Sequence, residues 1–277
     1  MPDTRSVAQW LQSITAELDG VVERPRREAE LLVMAYLQRD QLWLITHPDD
    51  EVANGDRLLQ WMLRRQNSEP LEYITNSVSF YSQTFHIEPG ALIPRPETEL
   101  LIDRVLEEVD REASLTIAEV GVGSGVISIV LAQHLPNAKI IAVDISDEAL
   151  MVAGKNIEAF GLEERIELRK GDLLESVDEP IDLLVSNPPY IAADAKLEKN
   201  LDYEPDSALF GGQVGDEIIQ RLLDQVNERK IACFVCEMGY DQKPKVEAYV
   251  STFGSESLEF YCDLAGFDRG FVLKMEK

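Results

Sequence analysis

Through residues 1–75 apolar positions recur at helical spacing. Val7, Trp10, Leu11, Ile14 and Leu18 share one face, and Asp19-Gly20 ends the run. Pro25 is suited to the first turn of a second helix, which carries Ala29, Leu31, Leu32, Ala35, Tyr36 and Leu37. A short apolar segment at Leu42–Ile45 precedes His47-Pro48. The helical pattern resumes near Asn54-Gly55 with Leu58, Leu59, Met62 and Leu63. This part reads as a small helical bundle, residues 1–75, suited to substrate recognition, and Trp10, Trp43 and Trp61 read as its core. Residues 76–95 change character. Ser79 to Ile87 is rich in β-formers and alternates in part, as in a hairpin or an extended linker.

A different rhythm begins near residue 96. Glu97 to Leu106 opens as a helix with acidic residues in its first turn. Short apolar runs then alternate with helical stretches. Strands are expected at 116–120, 139–143, 166–169, 181–186, 231–236, 258–262 and 271–274. Helices are expected at 125–134, 147–160, 216–228 and 243–253. Such alternation implies an α/β domain over residues 96–277, built on a seven-stranded, mostly parallel sheet covered on both faces.

Composition narrows the class. The chain has 277 residues, 45% hydrophobic and 28% charged, as in ordinary globular proteins. No apolar run is long enough for a membrane span, the N-terminus lacks the form of a signal peptide, and three cysteines make no disulfide framework. The cytoplasm is the expected compartment. With 51 acidic against 26 basic residues the net charge is −25, which disfavours a nucleic-acid partner and favours a basic protein partner.

Candidate chemistry gathers where the expected strands end. The first runs into Glu119-Val120-Gly121-Val122-Gly123-Ser124-Gly125. Its glycines permit a sharp turn and close approach to a ligand, and a helix N-terminus follows. The spacing is G-x-G-x-G rather than the dinucleotide G-x-G-x-x-G, and no Gly-Lys-Ser/Thr is present for a triphosphate. Asp144 ends the second strand, where a carboxylate can accept both ribose hydroxyls. Gly171-Asp172-Leu173 follows the third, with Asp172 suited to an adenine amino group. The fourth ends in Asn187-Pro188-Pro189-Tyr190. Prolines cannot extend the ladder, so a stiff set of acceptors is delivered beside an aromatic ring, suited to a planar group bearing an NH2. Upstream, Pro94 and Pro96 hold Arg95 extended at what reads as the lip of a pocket.

Taken in order, these motifs resemble the Rossmann-like S-adenosylmethionine-dependent methyltransferases, whose amino-methylating branch carries Asn-Pro-Pro-Tyr. More narrowly the chain resembles the bacterial release-factor glutamine methyltransferases. The resemblance rests on Glu69-Pro70-Leu71-Glu72-Tyr73-Ile74, Ile93-Pro94-Arg95-Pro96-Glu97-Thr98-Glu99, Asp144-Ile145-Ser146 and Ser186-Asn187-Pro188-Pro189-Tyr190-Ile191. It extends to Asp202-Tyr203-Glu204-Pro205, Gly239-Tyr240-Asp241-Gln242 and Asp263-Leu264-Ala265-Gly266. It implies that S-adenosylmethionine is bound by Glu119, Gly121, Val122, Gly123, Ser124, Gly125, Asp144, Asp172, Leu173 and Asn187. It also implies release factors as the protein substrate, held by Asn187, Pro188, Pro189, Tyr190 and Arg95. Catalysis would fall to Asn187, Pro188 and Tyr190, with no metal. Four positions depart from the family pattern: Glu119 where Asp is usual, Val122 where Thr is usual, Leu173 where some members have an aromatic, and Asn76 in place of a glycine.

The mechanism expected is in-line transfer governed by positioning. The Asn187 side-chain oxygen and the Pro188 carbonyl each accept one N–H of the target amide, and Tyr190 packs on the amide plane. An adenine- or cytosine-amino methyltransferase and a non-catalytic cofactor-binding scaffold remain alternatives, the first opposed by charge and the second by the intact motif. Two decoys are set aside. Cys233 and Cys236 have zinc-like spacing but face opposite sides of a strand. Gly211-Gly212-Gln213 spells the substrate motif but reads as a glycine-rich loop. His47, His86 and His134 are expected to be structural.

Overall fold

The computed structural model describes residues 5–197 and 199–276. Chain contacts divide it into two compact units, one reaching Ser77 and including a short return segment that ends at Tyr203, the other holding the remainder.

In the first unit β1 (Arg5–Ser6) leads into α1 (Val7–Leu18), followed by α2 (Pro25–Leu37) and α3 (Gln41–Thr46). Strand β2 (Glu51–Val52) pairs back onto β1, and α4 (Asp56–Gln66) and α5 (Leu71–Thr75) complete the unit. Ser6 caps α1 reciprocally with Gln9, an arrangement worth about 1 kcal/mol. Trp10, Ile14, Leu18, Leu32, Leu58 and Trp61 form one buried core. Trp43 is only partly buried and stacks on His47 at 4.5 Å. Arg65 of α4 grips Glu28 of α2 through both carboxylate oxygens. The β1–β2 bridge and α5 lie outside the sequence expectation, because elements of two to five residues carry too little periodicity to register.

A hairpin follows, β3 (Ser77–Phe80) and β4 (Gln83–His86), then α6 (Thr98–Glu108). The α/β alternation follows: β5 (Thr116–Val120), α7 (Val126–His134), β6 (Lys139–Asp144), α8 (Asp147–Phe160), β7 (Ile166–Lys170) and β8 (Leu183–Ser186). A small parallel pair, β9 (Ile191–Ala192) and β10 (Phe210–Gly212), brackets the one-turn helix α9 (Asp206–Leu209). Helix α10 (Glu217–Arg229), β11 (Cys233–Glu237), α11 (Lys243–Val250), β12 (Ser255–Cys262) and β13 (Asp268–Met275) close the unit.

The seven-stranded sheet runs in the order β12-β13-β11-β8-β5-β6-β7, parallel except at β13, which is antiparallel to both neighbours. This is the expected fold class, and strand limits shift by a few residues for local reasons. Strand β8 begins at Leu183 rather than Ile181, because Asp182 turns its carboxylate back to the Thr116 amide at 2.8 Å. All four β8 residues are buried, as a central parallel strand requires. Residues Val126 to Ala132 of α7 are likewise buried, so that stretch of helix is enclosed on every side. The chain steps from β5 outward to β7, then crosses to β8 on the other flank of β5. A crevice forms at such a reversal of strand order.

Candidate active site

A cavity of about 290 Å³ opens at that crevice, reached by the carboxyl ends of β5, β6 and β8. The loop after β5 shapes one wall. Gly121, Gly123 and Gly125 have φ of 78°, 54° and 83°, left-handed values that burden other residues by about 1–2 kcal/mol each. The G-x-G-x-G spacing is therefore a backbone requirement. A Cβ on Gly125 would also press on Ala153 of α8 at 3.3 Å. Gly121 and Val122 donate to the Val143 carbonyl at 2.8 and 3.1 Å, binding the loop to β6. Asn156, almost wholly buried, ties the same loop to the hairpin. Its Nδ2 donates to the carbonyls of Ser124 and His86, and its Oδ1 accepts from the His86 amide. Asn156 gave no signal in the sequence, since a polar residue inside an amphipathic helix usually faces solvent.

Asp144 ends β6 and faces the cavity. One oxygen accepts from the Gly123 amide and the other from the Ser146 amide, both at 3.0 Å. Burial raises its pKa, opposed by these backbone donors. Gly121, Val122, Gly123 and Ser124 line the cavity, as do Asp144, Asp172, Leu173, Asn187, Pro188, Pro189 and Arg95. Leu173 adopts a left-handed φ of 53°, a strain of the kind that clusters at functional sites. Asp172 is already engaged, accepting from Arg221 of α10 at 2.7 Å. A carboxylate at a strand end beside a tightly turned glycine loop fits a nucleoside with a ribose diol.

Glu119, Gly125 and Tyr190 do not line the cavity. Gly125 caps α7. Glu119 is fully buried, with one oxygen bound by the Ser128 hydroxyl and the other unpartnered. Burial pushes its pKa to about 8. The Tyr190 hydroxyl donates to Glu237 Oε1 at 3.3 Å. Burial, then the nearby Glu237 charge, raises the phenol pKa.

Two further residues were not singled out in the sequence. Thr98, at the start of α6, accepts from Asn187 Nδ2 at 3.1 Å and donates to Glu237 Oε2 at 2.8 Å. Glu237 ends β11, is 1% exposed, and has its pKa pushed by burial to about 7. A lone carboxylate closing the apolar run Phe234-Val235-Cys236 was the available signal. Arg95 is paired too, through a 2.5 Å bond to Glu204, which also accepts from the Ile93 amide at 3.0 Å. That pair joins the Pro-bracketed segment to the segment leading into α9.

The decoys resolve structurally. A Cβ on Gly211 would run into the carbonyls of Pro189 and Gly215, so this glycine lets β10 pack beneath the proline pair. His134 Nδ1 lies 2.9 Å from the Val130 carbonyl, and His86 sits beside Glu88. Among the described residues no helix is long and apolar enough to cross a membrane.

Comparison with known proteins agrees with this geometry. Residues 96–202 match the family model "Methyltransferase small domain", and residues 9–75 match "PrmC N-terminal domain". A release factor glutamine methyltransferase of Koribacter versatilis is 43% identical, covering 78% of this chain and 80% of that protein. One from Clostridium botulinum is 37% identical over 90% of this chain and 91% of its own length. Among solved structures, the hMettl16 catalytic domain in complex with MAT2A 3'UTR hairpin 6 superimposes with a TM-score of 0.56. It is 14% identical and covers 83% of this chain and 86% of that one. A methyltransferase from Pyrococcus furiosus gives 0.52 at 16% identity, covering 79% and 98%. Those two likenesses show the shared fold. With relatives at these identities matched over 80% and 91% of their length, the chain belongs to the release factor glutamine methyltransferase family.

Proposed function

We propose that this protein methylates the side-chain amide nitrogen (N5) of the glutamine in the Gly-Gly-Gln motif of peptide-chain release factors, with S-adenosylmethionine as donor. The observation that carries the reading is Asn187, held at the end of β8 beside the cavity with its NH2 committed to Thr98. Its Oδ1 is thereby left for a substrate donor. Gly121, Gly123, Ser124 and Asp144 are the residues that would hold the cofactor, which supplies an electrophilic methyl group.

The protein's own part is positional. Asn187 Oδ1 and the Pro188 carbonyl accept the two N–H bonds of the incoming amide, turning its nitrogen toward the donor. A substrate lacking the NH2 leaves both acceptors unpaired, at about 1–3 kcal/mol each. Pro188 and Pro189 keep the acceptors from relaxing between turnovers. Tyr190, bound to Glu237, supports the turn from behind in this arrangement. Release factors as partner follow from family membership, and the net charge of −25 suits a basic protein surface better than a nucleic acid.

Incubating the protein with methyl-labelled S-adenosylmethionine, a purified release factor and duplex DNA tests this. Label is expected on the release factor alone. Label on DNA and none on the release factor would overturn the reading in favour of a nucleic-acid amino methyltransferase.

A further inference from the structure

Behind the acceptor face lies a buried chain of hydrogen bonds drawn from three separate elements. Asn187 follows β8, Thr98 begins α6 and Glu237 ends β11. Thr98 is 3% exposed and Glu237 1%. Asn187 Nδ2 donates to Thr98 Oγ1, and Thr98 Oγ1 donates to Glu237 Oε2, at 3.1 and 2.8 Å. The other Glu237 oxygen accepts from Tyr190 at 3.3 Å.

An asparagine amide has two faces of nearly equal shape and opposite polarity. Turned one way, Asn187 presents an acceptor to the cavity; turned the other, a donor that would oppose a substrate NH2. The side chain's own shape does not choose. Thr98 has a single hydroxyl proton. In its ionised form Glu237 can only accept, so it takes that proton. Thr98 can then only accept in turn, and the Asn187 group facing it must be the NH2.

We propose that Thr98 and Glu237 are positioning residues that fix the amide orientation of Asn187, and through it the choice of a primary amide over a carboxylate as substrate. Neither touches the reacting atoms in this role. The inference rests on the proposed glutamine methylation.

The test compares Thr98→Val, which keeps the shape and removes the hydroxyl, with Thr98→Ser, which keeps the hydroxyl. Three quantities are read: kcat on a release factor, the Kd for S-adenosylmethionine, and the binding preference for the release factor over its Gln→Glu variant. Thr98→Val is expected to lower kcat by about tenfold or more and to shrink the preference for glutamine, since an unpolarised Asn187 loses roughly one oriented hydrogen bond. Its cofactor Kd stays within about threefold, because no cofactor-loop bond is removed. Thr98→Ser is expected to restore most of the rate and the preference. A Thr98→Val enzyme with unchanged preference would overturn the proposal, as would a Thr98→Ser enzyme as slow as Thr98→Val. If the valine variant fails to fold, a folded Thr98→Ser enzyme about tenfold slower than wild type, with the glutamine preference lost, would still overturn the proposal. Wild-type protein that labels no release factor would sink the function itself, a distinct result.

Discussion

Glu119 offers a quantitative test of how the sheet is built around the glycine loop. Its carboxyl group is fully buried beneath β5 and α7, and one oxygen has no partner. Burial pushes its pKa to about 8 from an ordinary 4.5. Because the folded value lies above the unfolded one, the folded protein holds a proton that the unfolded chain releases. The associated stability is fully present below about pH 4.5 and is lost as pH rises toward 8. Within that window the loss is roughly 1.4 kcal/mol per pH unit. Between about pH 5.5 and 7.5 it comes to roughly 3 kcal/mol, or about 5–10 °C in Tm for a chain of this size. Glu119→Gln removes the titration. The amide leaves an NH2 without a partner, at about 1–3 kcal/mol, but this shifts stability equally at every pH. Thermal unfolding of wild type and variant at intervals across the window, without cofactor, isolates the effect. The wild-type Tm should fall relative to the variant as pH rises, since other groups, Glu237 included, cancel in the difference. A constant gap across the window would refute the reasoning.

Three other outcomes follow from the site. Asn187→Ala should abolish methyl transfer while leaving the cofactor Kd within about tenfold, because only one acceptor near the cofactor is lost; unchanged turnover in a labelling assay would count against the mechanism. Asp144→Asn replaces one of two charge-assisted acceptors and should weaken S-adenosylmethionine binding by about 10–100-fold, seen by calorimetry. For the wild type, affinity should fall as pH drops through the raised Asp144 pKa, and an unchanged Kd in the variant would contradict the ribose assignment. Arg95→Ala leaves Glu204 buried without its ion pair and should cost about 2–4 kcal/mol, with faster amide exchange at Ile93, whose N–H also bonds Glu204; exchange at the wild-type rate would show that the pair does not hold this segment.

Much of this architecture is visible in the sequence because parallel strands bury both faces and so appear as unbroken apolar runs. Leu183 to Val185 is such a run, with the prolines two residues beyond it, and Thr116 to Val120 is one interrupted by Glu119 and followed directly by Gly121. Strand order is a different matter. That β11 lies beside β8 and brings Glu237 to Asn187 depends on long-range pairing, which no local pattern encodes. The same limit hid the partners of Arg95 and Asp172. Both were expected to meet ligand, and both carry an ion pair within the protein. Tyr190 illustrates the point from the other side. Its place in the motif draws attention to the ring, and gives no sign that its hydroxyl donates to Glu237 at the end of the neighbouring strand.

The most direct test of the central claim is the site of the methyl group. A release factor treated with the protein and S-adenosylmethionine should carry one added methyl on the side-chain amide of the glutamine in its Gly-Gly-Gln motif, located by peptide mass spectrometry. The Asn187→Ala protein should leave that peptide unmodified. A methyl group on any other residue, or on the glutamine with Asn187→Ala at the wild-type rate, would contradict the account.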